Sequence, residues 1–113
     1  MEPKIAKETL SWRGKTLNVY LLELENAVVG FFSEGEEVRL GTLALALPRG
    51  LPPSLGSSSI LLGHRNAGIA RILAEYLSSK HGKMALISVF LRREAEIADQ
   101  KSLLQLAKTL KKP

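Results

Sequence analysis

The stretch SSSILLGHRNAGIARILAEYL, residues 57–77, runs from a strand-like segment straight into a helix-like one. Its reading decides the fold. Ser58 to Leu62 reads as a short strand that Gly63 closes. Asn66 is the predicted N-cap of the following helix, since its side chain can accept from an unpaired N–H of the first turn. Ile69, Ile72, Leu73, Tyr76 and Leu77 fall on one stripe at helical spacing. Ala70 and Ala74 are small and suit close packing on a sheet, and Gly68 is read as serving the same approach. Gly82 ends the helix in the usual way.

Upstream the pattern has a period of two. Ile5 to Trp12, Thr16 to Glu25, Ala27 to Phe32 and Val38 to Leu47 read as strands separated by turns at Arg13-Gly14, Glu25-Asn26 and Ser33 to Glu37. Leu17, Val19 and Leu21 share one face, and Leu22 lies on the other. In the fourth strand Leu43, Leu45 and Leu47 point one way and Thr42, Ala44 and Ala46 the other. Residues 48–56 hold three prolines and two glycines and form a loop. Downstream, Lys83 to Leu91 is an apolar strand, and a closing helix runs from about Ala95 to Leu110, with Leu103, Leu104, Ala107 and Leu110 facing inward. Four strands, a loop, then strand, helix, strand, helix predict an α+β fold. The strands would form an antiparallel β-meander or sandwich of about six, in a single domain, 1–113.

Composition narrows the function. The chain has no cysteine, which removes disulfides, thiolate metal sites and a cysteine nucleophile. No apolar run approaches the ~20 residues that span a bilayer, and Met1 to Lys4 leads into no signal-like stretch. A cytoplasmic location without membrane contact is the expectation. Residues 1–63 carry six Lys/Arg against seven Asp/Glu, and residues 64–113 ten against four. The net charge of +5 therefore sits in the second half. Solvated helix faces, an acidic protein partner and nucleic acid compete to explain it.

Gly63 to Gly68 could cradle a phosphate at a helix N-terminus, with Arg65 as a charged fork. The segment lacks the Gly-Lys-Ser/Thr ending of a nucleotide loop, and a strand end, a cap and a helix start explain it as well. His64 and His81 flank one helix about 25 Å apart, too far to share a metal, and each is read as a surface residue beside a turn. Glu34, Glu36 and Glu37 are read as solvated. The serines at 54 and 57–59 sit in no nucleophile motif. No catalytic residue, cofactor or metal ligand is expected. The strands at Ala27 to Phe32 and Met84 to Leu91 are apolar on both faces, more than two helices can cover. A two-fold dimer is the commonest solution.

ILLG, AGIARILAEYLSSKHGK, MALISVFL and KSLLQLAKTL follow one another between residues 60 and 110, and VVGFFSEG and RLGTLALALP precede them. In this order they resemble the proteasome-assembly chaperone 3/4 family, including its small archaeal relatives; the second half matches more closely. The resemblance implies a small antiparallel β-structure flanked by helices, assembled as a homodimer or as a heterodimer with a paralogue. It also implies binding to proteasome α-subunits during 20S core assembly, without ATP or metal. It carries no contact residues. From the sequence itself we expect the contact surface at the 49–55 loop, through Arg49, Leu51 and Leu55, with Arg92 and Arg93 at a strand end as a second surface. The alternative is a small basic nucleic-acid-binding domain; a nucleotide-dependent enzyme built on residues 63–68 ranks behind both.

Overall fold

The computed structural model describes residues 1–48, 58–110 and 113. It contains β1 (Lys4–Trp12), β2 (Lys15–Glu23), β3 (Ala27–Glu34), β4 (Thr42–Ala46), β5 (Ser58–Leu62), α1 (Ala67–His81), β6 (Met84–Phe90) and α2 (Ile97–Thr109). The α+β class, the six strands and the two helices stand in the expected order. β4 begins at Thr42 rather than Val38 because side chains hold the backbone before it. The Ser33 hydroxyl donates to the Glu37 carbonyl and accepts from the Arg39 N–H, and the Ser88 hydroxyl accepts from the Gly41 N–H.

The strands form one sheet in the order β1-β2-β3-β6-β4-β5. β1, β2 and β3 are an antiparallel meander. A two-residue turn joins the first pair, with Arg13 at φ 50° and Gly14 at φ 77°; positive φ at both positions matches the twist of a hairpin. β6 then enters between β3 and β4, parallel to β3 and antiparallel to β4. Because β4 is also antiparallel to β5, strands β5 and β6 run the same way. Helix α1 is thus the crossover of a split β-α-β unit, and it lies on one face of the sheet.

That face holds the core. Across it run Val19, Phe32, Val89 and Thr42 in register, beside Leu21, Gly30, Ile87 and Ala44. Ile69, Leu73 and Leu77 of α1 and Leu103 and Ala107 of α2 are fully buried against it. Ala70 and Ala74 meet a floor of Ala44, Ala46 and Ala85, all fully buried, so α1 sits close to the sheet. Gly30 serves the same economy of space: a Cβ there would lie 2.9 Å from both Ile87 Cδ1 and Leu21 Cδ2. Gly68 does not. It is exposed, and a Cβ there would meet nothing within 4 Å.

Two glycines therefore give opposite expectations. Gly68→Ala adds helix propensity without a clash and should stabilise by about 0.5–1 kcal/mol. A Cβ at Gly41 would fall 2.0 Å from the Val89 carbonyl oxygen, so Gly41→Ala should destabilise by about 2 kcal/mol or more. Urea unfolding of both variants checks the pair; equal effects would contradict this account of the packing.

Candidate functional site

The other face of the sheet carries no described helix. Strand alternation sends every second residue to it, and the register lines these residues up. Ile5, Leu22, Val29, Leu86 and Leu45 form one row across five strands. Tyr20, Phe31, Ser88, Leu43 and Leu62 form the next. Most are half-buried by their neighbours alone, and at the margins Ile5 is 69% and Leu62 55% exposed. Towards one end Ile5, Tyr20, Leu22, Phe31 and Val38 line a depression of about 350 Å³ with an almost wholly apolar wall.

The chemistry of β4 makes this face unusual. Its alanines point to the helices and its leucines to the uncovered side, the reverse of a sheet with one solvated face. Three polar groups on the uncovered side are already committed. Ser33 and Ser88 pin residues 35–41, as above, and the Asn18 amide donates to the Gly35 carbonyl at 2.6 Å. Cations stand near the aromatics: Lys7 lies 5.5 Å from the Tyr20 ring centre and Arg39 5.8 Å from that of Phe90. Among the described residues no set of donors and acceptors converges on the middle of the face, so it offers hydrophobic contact and shape rather than chemistry.

The junction at residues 63–68 is a structural clasp. Asn66 does stand at the N-cap, but at φ 60° with no side-chain cap bond, which corrects the expected role. Its side chain instead bridges to the segment before α2. The Asn66 carboxamide oxygen accepts from the Ala95 N–H at 2.6 Å, and its nitrogen donates to the Arg93 carbonyl at 3.3 Å. Arg65 donates to the Arg92 carbonyl, and the Thr42 hydroxyl donates to the Arg65 carbonyl. These bonds fasten the start of α1 to the end of β6 and to β4. His64 is exposed at the same turn.

Two ionisable groups lie deeper than the sequence suggested. The His81 side chain is only 2% exposed, with Nδ1 4.0 Å from the Glu23 carboxylate. Lys83 Nζ donates to that carboxylate at 2.7 Å and to the Leu24 carbonyl at 2.8 Å. The hydrogen bond from Lys83, with the charges of Lys83, His81 and Lys4, holds the Glu23 carboxyl below the ordinary glutamate value despite its partial desolvation. Glu34 is likewise buried rather than solvated; it accepts from the Arg92 N–H, and the Arg92 Nε lies 3.9 Å away. Glu36 and Glu37 are exposed. Trp12 is the one described residue with a buried side-chain N–H that lacks a partner. Among the described residues no three His, Asp or Glu side chains gather as a metal site, and no helix is long and apolar enough to cross a membrane.

Of the expected contact residues, Arg49, Leu51 and Leu55 fall outside the described residues. Arg92 and Arg93 stand between β6 and α2 with their backbone held by Glu34, Arg65 and Asn66 and their side chains exposed. They lie apart from the apolar rows. The surplus apolar surface was legible as two strands greasy on both faces. Its extent was not, because the rows exist only once the register is known.

No protein-family model and no curated protein matches the sequence. Among solved structures, the chain is similar to a subunit of a chaperone complex for yeast 20S proteasome assembly, with a TM-score of 0.62 and 20% identity. The match covers 96% of this chain and 98% of the yeast one. The two share a fold over essentially their whole length.

The Glu23 cluster gives a pH dependence with a definite sign. A carboxyl depressed in the folded state contributes stability above its unfolded value, near 4.5, and loses it as the pH falls through the folded value. Glu23→Gln should therefore unfold at lower urea than the parent at pH 7, with the gap closing below the ordinary glutamate value. A gap of the same size at both ends of a pH series would show that Lys83 does not depress Glu23.

Proposed function

We propose that this chain is a non-enzymatic assembly chaperone or adaptor of the cytoplasm, akin to the 3/4 type and its archaeal relatives. It acts as one half of a dimer and holds proteasome α-subunits while the 20S core assembles. The uncovered apolar face carries this reading. It is too broad and too uniformly apolar to serve a soluble monomer, and its described polar groups do not converge to orient a small substrate. A second chain of the same fold, whether another copy or a paralogue, would bury it. The shared fold with a subunit of a proteasome-assembly complex supports the choice of client.

In this scheme the sheet face holds the two chains together, and the client meets what dimerisation leaves outside. The 49–55 loop, through Arg49, Leu51 and Leu55, and the Arg92–Arg93 pair are the proposed client contacts. Loops on a rigid scaffold are the usual place for recognition, and the clasp around Asn66 gives Arg92 and Arg93 a fixed base. Binding would mask an α-subunit surface until its proper neighbour arrives, which needs neither nucleotide nor metal.

Affinity purification of the tagged chain from its own cells, read by mass spectrometry, tests the proposal. α-Subunits should co-purify with the parent. Leu51→Asp with Leu55→Asp, and separately Arg92→Glu with Arg93→Glu, should each deplete them. Their absence from the parent sample sinks the proposed client, and full recovery with either double variant sinks that contact. Recovery of nucleic acid in their place, lost steeply with salt, would favour the nucleic-acid alternative.

A further inference from the structure

The helical layer presents a second surface, on the side of the molecule away from the apolar rows. A cleft of about 350 Å³ opens between α1 and α2 beside the end of β4. Its apolar wall comes from Leu47, Ile72, Tyr76 and Leu104, and Glu75 and Lys108 supply its charged groups. Ile72 sits on the stripe that helical spacing turns inward, yet it is 41% exposed. The inner positions of α1 are filled by Ile69, Leu73 and Leu77, which leaves Ile72 to face the cleft.

Charge around the cleft is mainly positive, with Glu75 as the one carboxylate in its lining. Each helix has one carboxylate, and both are engaged. Glu75 accepts from the Ser58 hydroxyl, which itself accepts from Arg71 Nε at 3.0 Å. Asp99 pairs with Arg13 at 2.6 Å and completes the capping box of α2. On the cationic side, Lys80 Nζ donates to the Leu110 carbonyl and lies 5.9 Å from the Tyr76 ring centre. Lys101 and Lys108, both exposed, form no ion pair among the described residues. The cleft thus joins a largely apolar floor to Lys108, with Lys101 about two helical turns away on α2, and Glu75 is the single carboxylate in its lining.

We infer that this cleft is a docking site for an acidic segment of a partner protein that also carries aliphatic side chains. The aliphatic groups would rest on Ile72, Tyr76 and Leu104, and the carboxylates would face Lys108 and Lys101. Complementarity of this kind fixes register and speeds encounter while the apolar contact supplies affinity. A nucleic acid fits less well, because the floor is aliphatic and the one ring, Tyr76, already has a cation beside it. The inference does not depend on which protein the chain serves, nor on whether it dimerises.

Fluorescence anisotropy with a labelled peptide of about twelve alternating leucine and glutamate pairs tests it. A peptide with lysine in place of glutamate and an oligouridine of similar length serve as the other probes. The leucine–glutamate peptide should bind the parent, and the other two should not. Lys101→Glu with Lys108→Glu should weaken it about tenfold or more, as should Ile72→Ser. Phe31→Asp, on the opposite face, should leave its affinity unchanged. Circular dichroism melts of each variant, matched to the parent, keep a folding defect from passing as a binding defect. No binding up to about 1 mM, binding unaffected by the cleft variants, loss on Phe31→Asp, or preferential binding of oligouridine would each overturn the proposal.

Discussion

Everything in this structure depends on one mismatch: six strands make a sheet with two faces, and the two described helices lie on one of them. Helices α1 and α2 bury Phe32, Leu17, Ile87 and their neighbours completely. Among the described residues nothing comparable covers the opposite side, where Ile5, Leu22, Val29, Leu86 and Leu45 stand in a row. Burying a large aliphatic or aromatic side chain is worth about 1.5–3 kcal/mol. A second chain pressed on two such rows would therefore gain many times the thermal energy, even after the entropy lost on association.

The side chains are distributed as though both faces were to be buried. A small chain with a solvated sheet face would keep leucine inside and place small or polar residues outside. Here Ala44, Ala46, Ala85 and Gly30 lie under the helices, where they let α1 approach closely, and Leu43 and Leu45 lie outside. Asn18, Ser33 and Ser88 of the outer face are spent on residues 35–41. Those bonds hold the start of β4 at Thr42 and satisfy Asn18, Ser33 and Ser88, whose polar atoms would otherwise be costly to desolvate. The cleft between α1 and α2 is the complement of this plan: it lies on the helical side, away from the apolar rows.

Much of the architecture was legible because burial imposes a period. Leu17, Val19 and Leu21 announced the inner face of β2, and Ile69, Leu73 and Leu77 that of α1. The insertion of β6 between β3 and β4 was not legible, since a strand apolar on both faces says nothing about its neighbours. Asn66 was the right residue type at the right position. Its side chain nevertheless serves the backbone of Arg93 and Ala95, distant in sequence, instead of its own helix. His81 and Glu34 looked solvated because they adjoin turns; partners far along the chain, Glu23 and Arg92, draw them inward. The expected contact residues divide in the same way. Arg92 and Arg93 rest on a clasp that no local pattern reveals, and the cleft beside Ile72 shows itself only once α1 and α2 are packed together.

The mass of the intact particle formed by the chain in its own cells, taken by native mass spectrometry without denaturant, tests the central claim most directly. The account predicts that the 12.4 kDa chain is never recovered alone. It should appear with a second copy, or with another chain of the same fold, on its sheet face. A stable monomer of that mass, which also fails to bind an apolar dye, would contradict it.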